Sequence, residues 1–286
     1  MSVQITTAFV EQYKANVLHL AQQKGSRLRD AVRTETVTGK AHFFERIGST
    51  AAQKRTSRHS DTPRMDTPHS RRKVSMDDYD WADLIDNEDK VRMLISPTSE
   101  YAMAGAFAMG RAMDDAIIAA ATGTAYSGVA GGTSVSLPSG QKVVHASGGL
   151  TVTKLISAKE VLDAADIDPD EPRFLVCAAG QIADLLAITQ VTSSDYNTVK
   201  ALASGQIDTF LGFKFIRSQR LGQDSTPSRQ CLAFTKSAIG LAVGADISTK
   251  ISERADKNYA TQVFLSMTIG ATRIEEEKMV EIAANE

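Results

Sequence analysis

Two glycines, Gly123 and Gly128, have the spacing that begins a phosphate-binding loop. In that motif a lysine and a hydroxyl residue follow the second glycine, because the lysine reaches the terminal phosphates and the hydroxyl binds magnesium. Val129 and Ala130 occupy those two positions in this chain. Without the lysine no side chain reaches the terminal phosphates, so the sequence predicts no nucleotide-binding loop here.

Histidine and aspartate residues that could ligate a metal ion lie close together between His59 and His69. Asp61 and Asp66 lie between them, and imidazole and carboxylate groups are common zinc ligands. Their spacing is irregular, however, and a binding site needs a rigid frame around its ligands. The chain also lacks His-Glu-x-x-His and Cys-x-x-Cys motifs. We therefore expect these four residues to be solvated, and we predict no metal site and no cofactor.

Adjacent acidic residues occur at Asp114–Asp115 and again at Glu275–Glu277. Paired carboxylates can perform general acid–base catalysis only if they face a common substrate. Neighbouring residues on one element point in different directions, so we predict that both groups are interface or surface charges. A Gly-x-Ser-x-Gly elbow for acyl transfer is also missing from the sequence. These observations predict a protein that is not an enzyme.

The two cysteines, Cys177 and Cys231, are too few for a disulfide framework in so long a chain. Cys177 lies in the apolar run Phe174–Ala178. A thiol in such a run usually acts as a small buried hydrophobe. We therefore predict buried, unpaired thiols and synthesis in a reducing cytoplasm.

The overall composition is that of a globular protein with a nearly neutral charge. The chain has 286 residues, of which 42% are hydrophobic, and a formal net charge of −2. A general nucleic-acid-binding domain would be strongly basic. The N-terminal residues lack the basic start and apolar stretch of a signal peptide. The most apolar segment, residues 101–121, contains Arg111, Asp114 and Asp115, so we expect no association with a membrane.

Residues 40–89, called the polar segment, change the sign of their charge along the chain. Nine basic residues and only three acidic ones occur up to Lys73, and seven acidic residues follow from Asp77. Apolar residues are too sparse between Ala51 and Arg72 to form a core. We therefore predict that the basic arm of one copy lies on the acidic face of another copy. The predicted contact residues are Arg55, Arg58, Arg64, Arg71, Arg72, Asp77, Asp78, Asp80 and Asp83.

The predicted elements mix helices and strands, which favours an α+β fold. Apolar residues recur with helical spacing over residues 6–24, and Ser96-Pro97 has the character of a helix start. The helix that follows should cover residues 97–122, which is about 38 Å at the usual rise per residue. The remaining predictions are a Gly-rich loop over 123–150 with a weak hairpin, helices over 153–165 and 180–188, and strands over 173–178, 211–216, 230–234, 259–271 and 279–283.

Several strings in the sequence resemble those of one family of phage capsid proteins. They are Ala21–Leu28 (AQQKGSRL), Asp78–Asp86 (DYDWADLID), Gly110–Asp114 (GRAMD), Val191–Tyr196 (VTSSDY) and Leu211–Phe213 (LGF). With the order of elements, they make essentially the whole chain similar to the major capsid protein of tailed double-stranded-DNA bacteriophages. That family has the Hong Kong 97-like fold, also called the Johnson fold.

The resemblance implies a division of the chain into the segments of that fold. The segments are an N-arm (1–40), an extended E-loop that overlies the neighbouring subunit (41–90), a P-domain (91–172) with its spine helix (97–122) and Gly-rich loop (123–150), an A-domain (173–250) and a return to the P-domain (251–286).

The resemblance also implies a function and a set of partners. The chain would self-assemble as hexamers and pentamers into an icosahedral head that encloses double-stranded DNA without reading its sequence, and its location would be the virion. A long helical N-terminal extension, which acts as a built-in scaffold in some relatives, is missing here. The partners implied are therefore a separate scaffolding protein, a portal protein and, as an option, a cement protein.

Two other functions remain open on the sequence. The same fold could form the shell of an encapsulin-type bacterial compartment that holds a cargo enzyme. A DNA-binding protein with a basic arm is a third hypothesis, since such an arm can bind phosphates. The near-neutral net charge counts against this third hypothesis.

Overall fold

The structure is a computed structural model, and it describes residues 22–58, 61–62, 64–86, 98–144, 148–188, 209–223 and 228–285. Three α-helices lie in these residues: α1 (Thr98–Thr122), α2 (Val152–Ala164) and α3 (Ala179–Ala187). Short 3-10 helices cover Arg29–Ala31, Ser139–Gln141 and Ala255–Lys257.

Fourteen strands lie in the described residues and form three sheets. They are β1 (Arg33–Thr36), β2 (Ala41–Ile47), β3 (His69–Ser75), β4 (Asp77–Ile85), β5 (Ala125–Ser127), β6 (Thr133–Val135), β7 (Lys142–Val143), β8 (Arg173–Cys177), β9 (Thr209–Phe210), β10 (Phe213–Arg217), β11 (Ser228–Thr235), β12 (Ile239–Arg254), β13 (Ala260–Arg273) and β14 (Met279–Asn285). The mixed α+β class predicted from the sequence is confirmed.

The first sheet has the strand order β1-β12-β13-β4 and carries helix α1. Strand β1 runs parallel to β12, whereas β12, β13 and β4 are antiparallel to their neighbours. Met109, Met113 and Ile117 recur at helical spacing and are buried. Ala-rich sequence favours the helix itself. The buried face therefore fixes α1 on this sheet, and its bounds agree with the prediction apart from residue 97, which lies outside the described residues.

A glycine allows helix α1 to approach the first sheet closely. A Cβ atom at Gly105 would lie 2.6 Å from Cε3 of Trp81 and 2.7 Å from Cδ1 of Leu265. Such distances are well inside van der Waals contact, so a larger residue could not occupy this position without moving the helix. The indole of Trp81 therefore packs directly on the helix backbone at this point.

The second sheet has the order β7-β14-β11-β8-β10-β9 and is largely buried. All five residues of β8 are buried, as expected for a central strand with a continuous apolar run. The rings of Phe174 and Phe234 pack with centroids 6.0 Å apart. Helix α2 is attached to this sheet by Lys154, which is 8% exposed and whose Nζ donates to the carbonyls of Gly148, Gly149 and Ala283 at 2.6–3.0 Å.

The third sheet has the order β2-β3-β5-β6 and contains most of the regular structure found in the polar segment. Strands β2 and β3 form an antiparallel hairpin with Ala41 opposite Ser75 and Ile47 opposite His69. Residues 48–68 connect them and are called the hairpin tip. The Gly-rich region begins with a second, smaller hairpin, β5–β6, so the weak hairpin predicted there is confirmed.

The described structure adds one long strand that the sequence did not predict. The sixteen-residue strand β12 was not predicted, because its outer half carries few apolar residues and gains its strand conformation from pairing with β13. The resemblance implied a return of segment 251–286 to the P-domain, and this domain division stays a prediction. Strand β13 does pair with β4 below α1, but β14 pairs with β11 in the second sheet. The predicted helix over residues 6–24 lies mostly outside the described residues.

Candidate assembly surfaces

Residues 22–28, which lead into the first described strand, are attached to α1 by a buried carboxylate. Asp114 is fully buried, and its oxygens accept hydrogen bonds from Ser26 Oγ at 2.5 Å and from the backbone amides of Arg27 and Leu28 at 3.1 Å. The side-chain amide of Gln23 also donates to it. The prediction that Asp114 is a surface or interface charge is therefore wrong. Its position four residues after Gly110, on the buried face of the helix, was the signal that sequence reasoning missed.

The absence of a side chain at Gly110 allows this segment to cross α1. A Cβ atom at Gly110 would lie 2.4 Å from the carbonyl carbon of Gly25 and 2.6 Å from the amide nitrogen of Ser26. Arg111 donates to the side chain of Gln22 at 2.9 Å. Two of the strings that carry the family resemblance, 21–28 and 110–114, therefore contact each other in the fold.

The hairpin tip is an exposed, basic part of the described surface. Lys54, Arg55, Arg58 and Arg64 are all exposed there. The one hydrogen bond found for Arg55 in the described residues is local, from Nε to the carbonyl of Ser57 at 2.9 Å. These four cations are therefore accessible to another molecule, and the contact predicted for Arg55, Arg58 and Arg64 stays a prediction.

The other two predicted arm residues, Arg71 and Arg72, are engaged within their own chain. Arg71 lies in β3, 2.8 Å from a carboxylate oxygen of Glu45 and above the ring of Phe43. Arg72 is 3% exposed, and its Nη2 lies 2.5 Å from Oε1 of Glu276. Strand alternation places these successive residues on opposite faces of the hairpin. We therefore revise the interpretation of Arg72, since a buried side chain with an internal partner cannot contact a neighbouring subunit in this conformation.

The predicted acidic residues all lie on β4, which is one of the two edge strands of the first sheet among the described strands. Asp78 and Asp80 are exposed on one face, and Thr268 donates to Asp78 at 2.7 Å. Asp77 and Asp83 alternate with them and project to the other face, where α1 packs. The acidic surface is therefore split between two faces, and only Asp78 and Asp80 form a continuous outward pair.

A second group of charges at the base of the hairpin was also missed by sequence reasoning. The side chain of Glu276 is 14% exposed and lies within 4 Å of three arginines, Arg46, Arg72 and Arg273. Arg273 is fully buried and donates to the carbonyls of Ala121, Gly123 and Val135 at 2.8–3.0 Å. A cation at this position complements the negative end of the α1 dipole. Glu276 was predicted to be an interface or surface charge, and this prediction is wrong because its carboxylate is engaged by arginines of its own chain.

The structure also gives the surroundings of the residues that the sequence suggested for phosphate binding, metal binding and thiol chemistry. The glycines at 123 and 128 flank strand β5 instead of forming a phosphate loop. Within the described part of the chain, no three His, Cys, Asp or Glu side chains cluster in a way that could hold a metal ion. Cys177 and Cys231 are buried and free, as predicted, and burial raises the pKa of Cys177 to about 12. No helix among the described residues is long and apolar enough to cross a membrane.

The described residues thus combine a long helix on a four-stranded sheet, a second, largely buried sheet and a hairpin whose tip carries exposed cations. A family model described as phage capsid protein matches residues 5–286. The chain belongs to the phage capsid protein family, and it is a structural capsid protein. A comparison with curated protein sequences finds no match.

Solved capsid structures share the fold over nearly the full length. The capsid of cyanophage P-SCSP1u has a TM-score of 0.77 and 20% identity, covering 100% of this chain and 96% of that one. The chain of Mycobacterium phage Che8 has a TM-score of 0.69 and 15% identity, covering 95% and 96%. The capsid of a native GTA particle has a TM-score of 0.69 and 9% identity, covering 100% and 98%. The Hong Kong 97-like fold predicted from the sequence is confirmed.

Proposed function

We propose that this protein is the major capsid protein that self-assembles, as hexamers and pentamers, into an icosahedral phage head around double-stranded DNA. The observation that carries the proposal is the family match over residues 5–286 together with a capsid fold that covers the whole chain. The DNA is enclosed without being read, since the near-neutral chain has no strongly basic character as a whole.

The exposed hairpin tip supports a specific contact between copies. Its cations Lys54, Arg55, Arg58 and Arg64 are accessible, and Asp78 and Asp80 form an outward acidic pair on β4 of every copy. A basic tip on one copy and an acidic strand on the next form a head-to-tail contact. Subunits that repeat such a contact by rotation form a closed ring. Each exposed pair contributes about 0–1 kcal/mol, so the effect comes from repetition over the shell. Asp77 and Asp83 line the inner side of the same strand.

The same proposal includes the accessory proteins of a phage head. A separate scaffolding protein and a portal protein would direct assembly. If the shell is decorated, a cement protein would bind to its outer surface. The chain acts as a structural subunit without catalysis, is synthesised in the bacterial cytoplasm and ends in the virion.

The contact between copies is tested by reversing charges on both sides. The triple variant R55E/R58E/R64E should fail to form shells in negative-stain micrographs while keeping the circular dichroism spectrum of the folded subunit. Adding D78K and D80K to that triple should restore shells, because the tip is then acidic and the strand basic, so the two surfaces attract each other again. Normal shells from the triple variant alone would contradict the contact.

Protease protection gives an independent test of the same contact. Trypsin should cleave free subunits after Arg55, Arg58 and Arg64, and assembled shells should protect these bonds. Equal cleavage of free and assembled subunits would contradict the docking of the tip.

Electron micrographs of the purified protein test the wider function. Shells that copurify with a cargo enzyme would indicate an encapsulin-type compartment. DNA binding without any shell would indicate a DNA-binding protein with a basic arm.

A further inference from the structure

The β2–β3 hairpin packs on the body of the protein through a hydrophobic cluster that is separate from the main core. The five buried residues of this cluster are Val37, Phe44, Val74, Ala242 and Ile274. The main core, by contrast, joins α1, α2 and α3 to the first two sheets. A small satellite cluster resists local opening less than a continuous core does. Besides this cluster, the short pairing of β3 with β5 and a set of charged contacts attach the hairpin to the body, so we expect the hairpin to open locally more readily than the main core.

Charged contacts connect the same hairpin to the loop between β13 and β14. Arg46 of β2 donates to the carbonyl of Ile274 at 2.7 Å and lies 3.6 Å from Glu276. Arg72 of β3 donates to the same carbonyl at 3.3 Å and lies 2.5 Å from Glu276. One carboxylate therefore binds both strands of the hairpin to the body.

The third arginine of this group, Arg273, belongs to the fixed part of the molecule. It is the last residue of β13, is fully buried and donates to the carbonyls at the end of α1. Burial lowers the pKa of Arg273, and the positive charge of Arg72 lowers it further. The negative charge of Glu276 raises the pKa of Arg273 and so partly offsets these two effects. Three guanidinium groups thus surround a single carboxylate, and two of them are buried. Without the negative charge of Glu276, Arg72 and Arg273 would face each other in a poorly solvated environment, which is strongly unfavourable.

We propose that Glu276 is an electrostatic latch that holds the β2–β3 hairpin closed against the end of α1. When the charge of Glu276 is removed, the repulsion between arginines is relieved by outward movement of the hairpin, because Arg46 and Arg72 can then reach water while Arg273 cannot. The latch is a property of the folded subunit and does not depend on the proposed shell. Because the hairpin carries the basic tip, the latch would also set the direction in which the tip projects.

Hydrogen exchange on the full-length free subunit tests this proposal. In E276Q, backbone amides of β2 and β3 should exchange at least about tenfold faster than in the wild-type protein, and amides of β8 and β11 should change less than about twofold. The matched control is E275Q, which removes the neighbouring carboxylate that pairs with Lys278 at 3.2 Å. This control should leave hairpin exchange unchanged.

Two further variants separate a latch from a general loss of stability. E276Q/R72Q removes one of the repelling cations, so hairpin exchange should return at least halfway to the wild-type rate. R46Q removes one contact of Glu276 and keeps the Arg72 pair, so it should accelerate exchange in β2 by less than E276Q does. Unchanged hairpin exchange in E276Q, or equal acceleration of β8 and β2 in both E276Q and R46Q, would overturn the proposal.

Discussion

The carboxylate of Asp114 accepts hydrogen bonds from two successive backbone amides, those of Arg27 and Leu28. Leu28 is itself fully buried in the main core, so this contact joins the entering segment to α1 at the point where the segment leaves the surface. A buried carboxylate is tolerated because several donors compensate its lost hydration. This relationship fixes how the N-terminal part of the described chain crosses the long helix.

We predict that D114N destabilises the subunit by about 3 kcal/mol. The amide that replaces the carboxylate has one acceptor oxygen, and its NH2 group would face the donors of Ser26, Arg27 and Leu28. The free energy of unfolding, measured by denaturant titration of the soluble subunit, checks this value.

The adjacent residue provides the control for D114N. Asp115 forms an ion pair with Arg220, and both side chains are more than a third exposed. D115N should therefore cost less than about 1 kcal/mol. A cost for D114N as small as that for D115N would contradict the structural role assigned to Asp114.

We predict that G110A destabilises the protein even though alanine favours helix formation by about 1 kcal/mol over glycine. The added methyl group would overlap with the backbone of Gly25 and Ser26, and overpacking of this kind costs about 1–3 kcal/mol or more. The transition midpoint in urea should fall. G140A is the comparison, because a Cβ at Gly140 meets no atom within 4 Å, and it should leave the midpoint nearly unchanged.

The thiols should be unreactive in the native subunit at pH 8. Burial raises the pKa of Cys177 to about 12 and also raises the pKa of Cys231, and only the thiolate reacts rapidly. Titration with a thiol-specific disulfide reagent should detect no rapid reaction until denaturant is added, after which two thiols per chain should react. Rapid reaction of one thiol in the native protein would show that solvent reaches β8 or β11 of the second sheet, which would contradict the burial of both thiols.

The turn between β12 and β13 should contain an unusually acidic aspartate. Hydrogen bonds from Arg254 at 2.8 and 2.9 Å lower the pKa of Asp256 from 3.8 to about 2. Because the folded-state pKa is lowered, the stabilisation is complete above the ordinary value and is lost as the pH falls towards 2. A carboxyl titration by NMR measures this directly. R254Q should return the pKa towards 3.8, and an equally low pKa in that variant would contradict the assigned cause.

Sequence patterns were sufficient where an element carries its own signal. Helix α1 was predicted nearly to its bounds because its apolar spacing and alanine content are local properties. Strand β8 was predicted because a continuous apolar run between polar residues is typical of a central strand. Strings such as 110–114 gave the family, and with it the fold.

The positions of the charges were decided by the tertiary structure alone. The sequence shows Arg71 and Arg72 as equal neighbours, yet strand alternation and pairing with Glu276 bury only one of them. Likewise Asp114 and Asp115 differ only in which side of α1 they occupy. The main elements thus followed from local periodicity and composition, and the fold family followed from the resemblance of short strings in the sequence to capsid proteins. The structure decided which charges are buried, because each buried charge depends on partners up to about 200 positions away, as with Arg72 and Glu276.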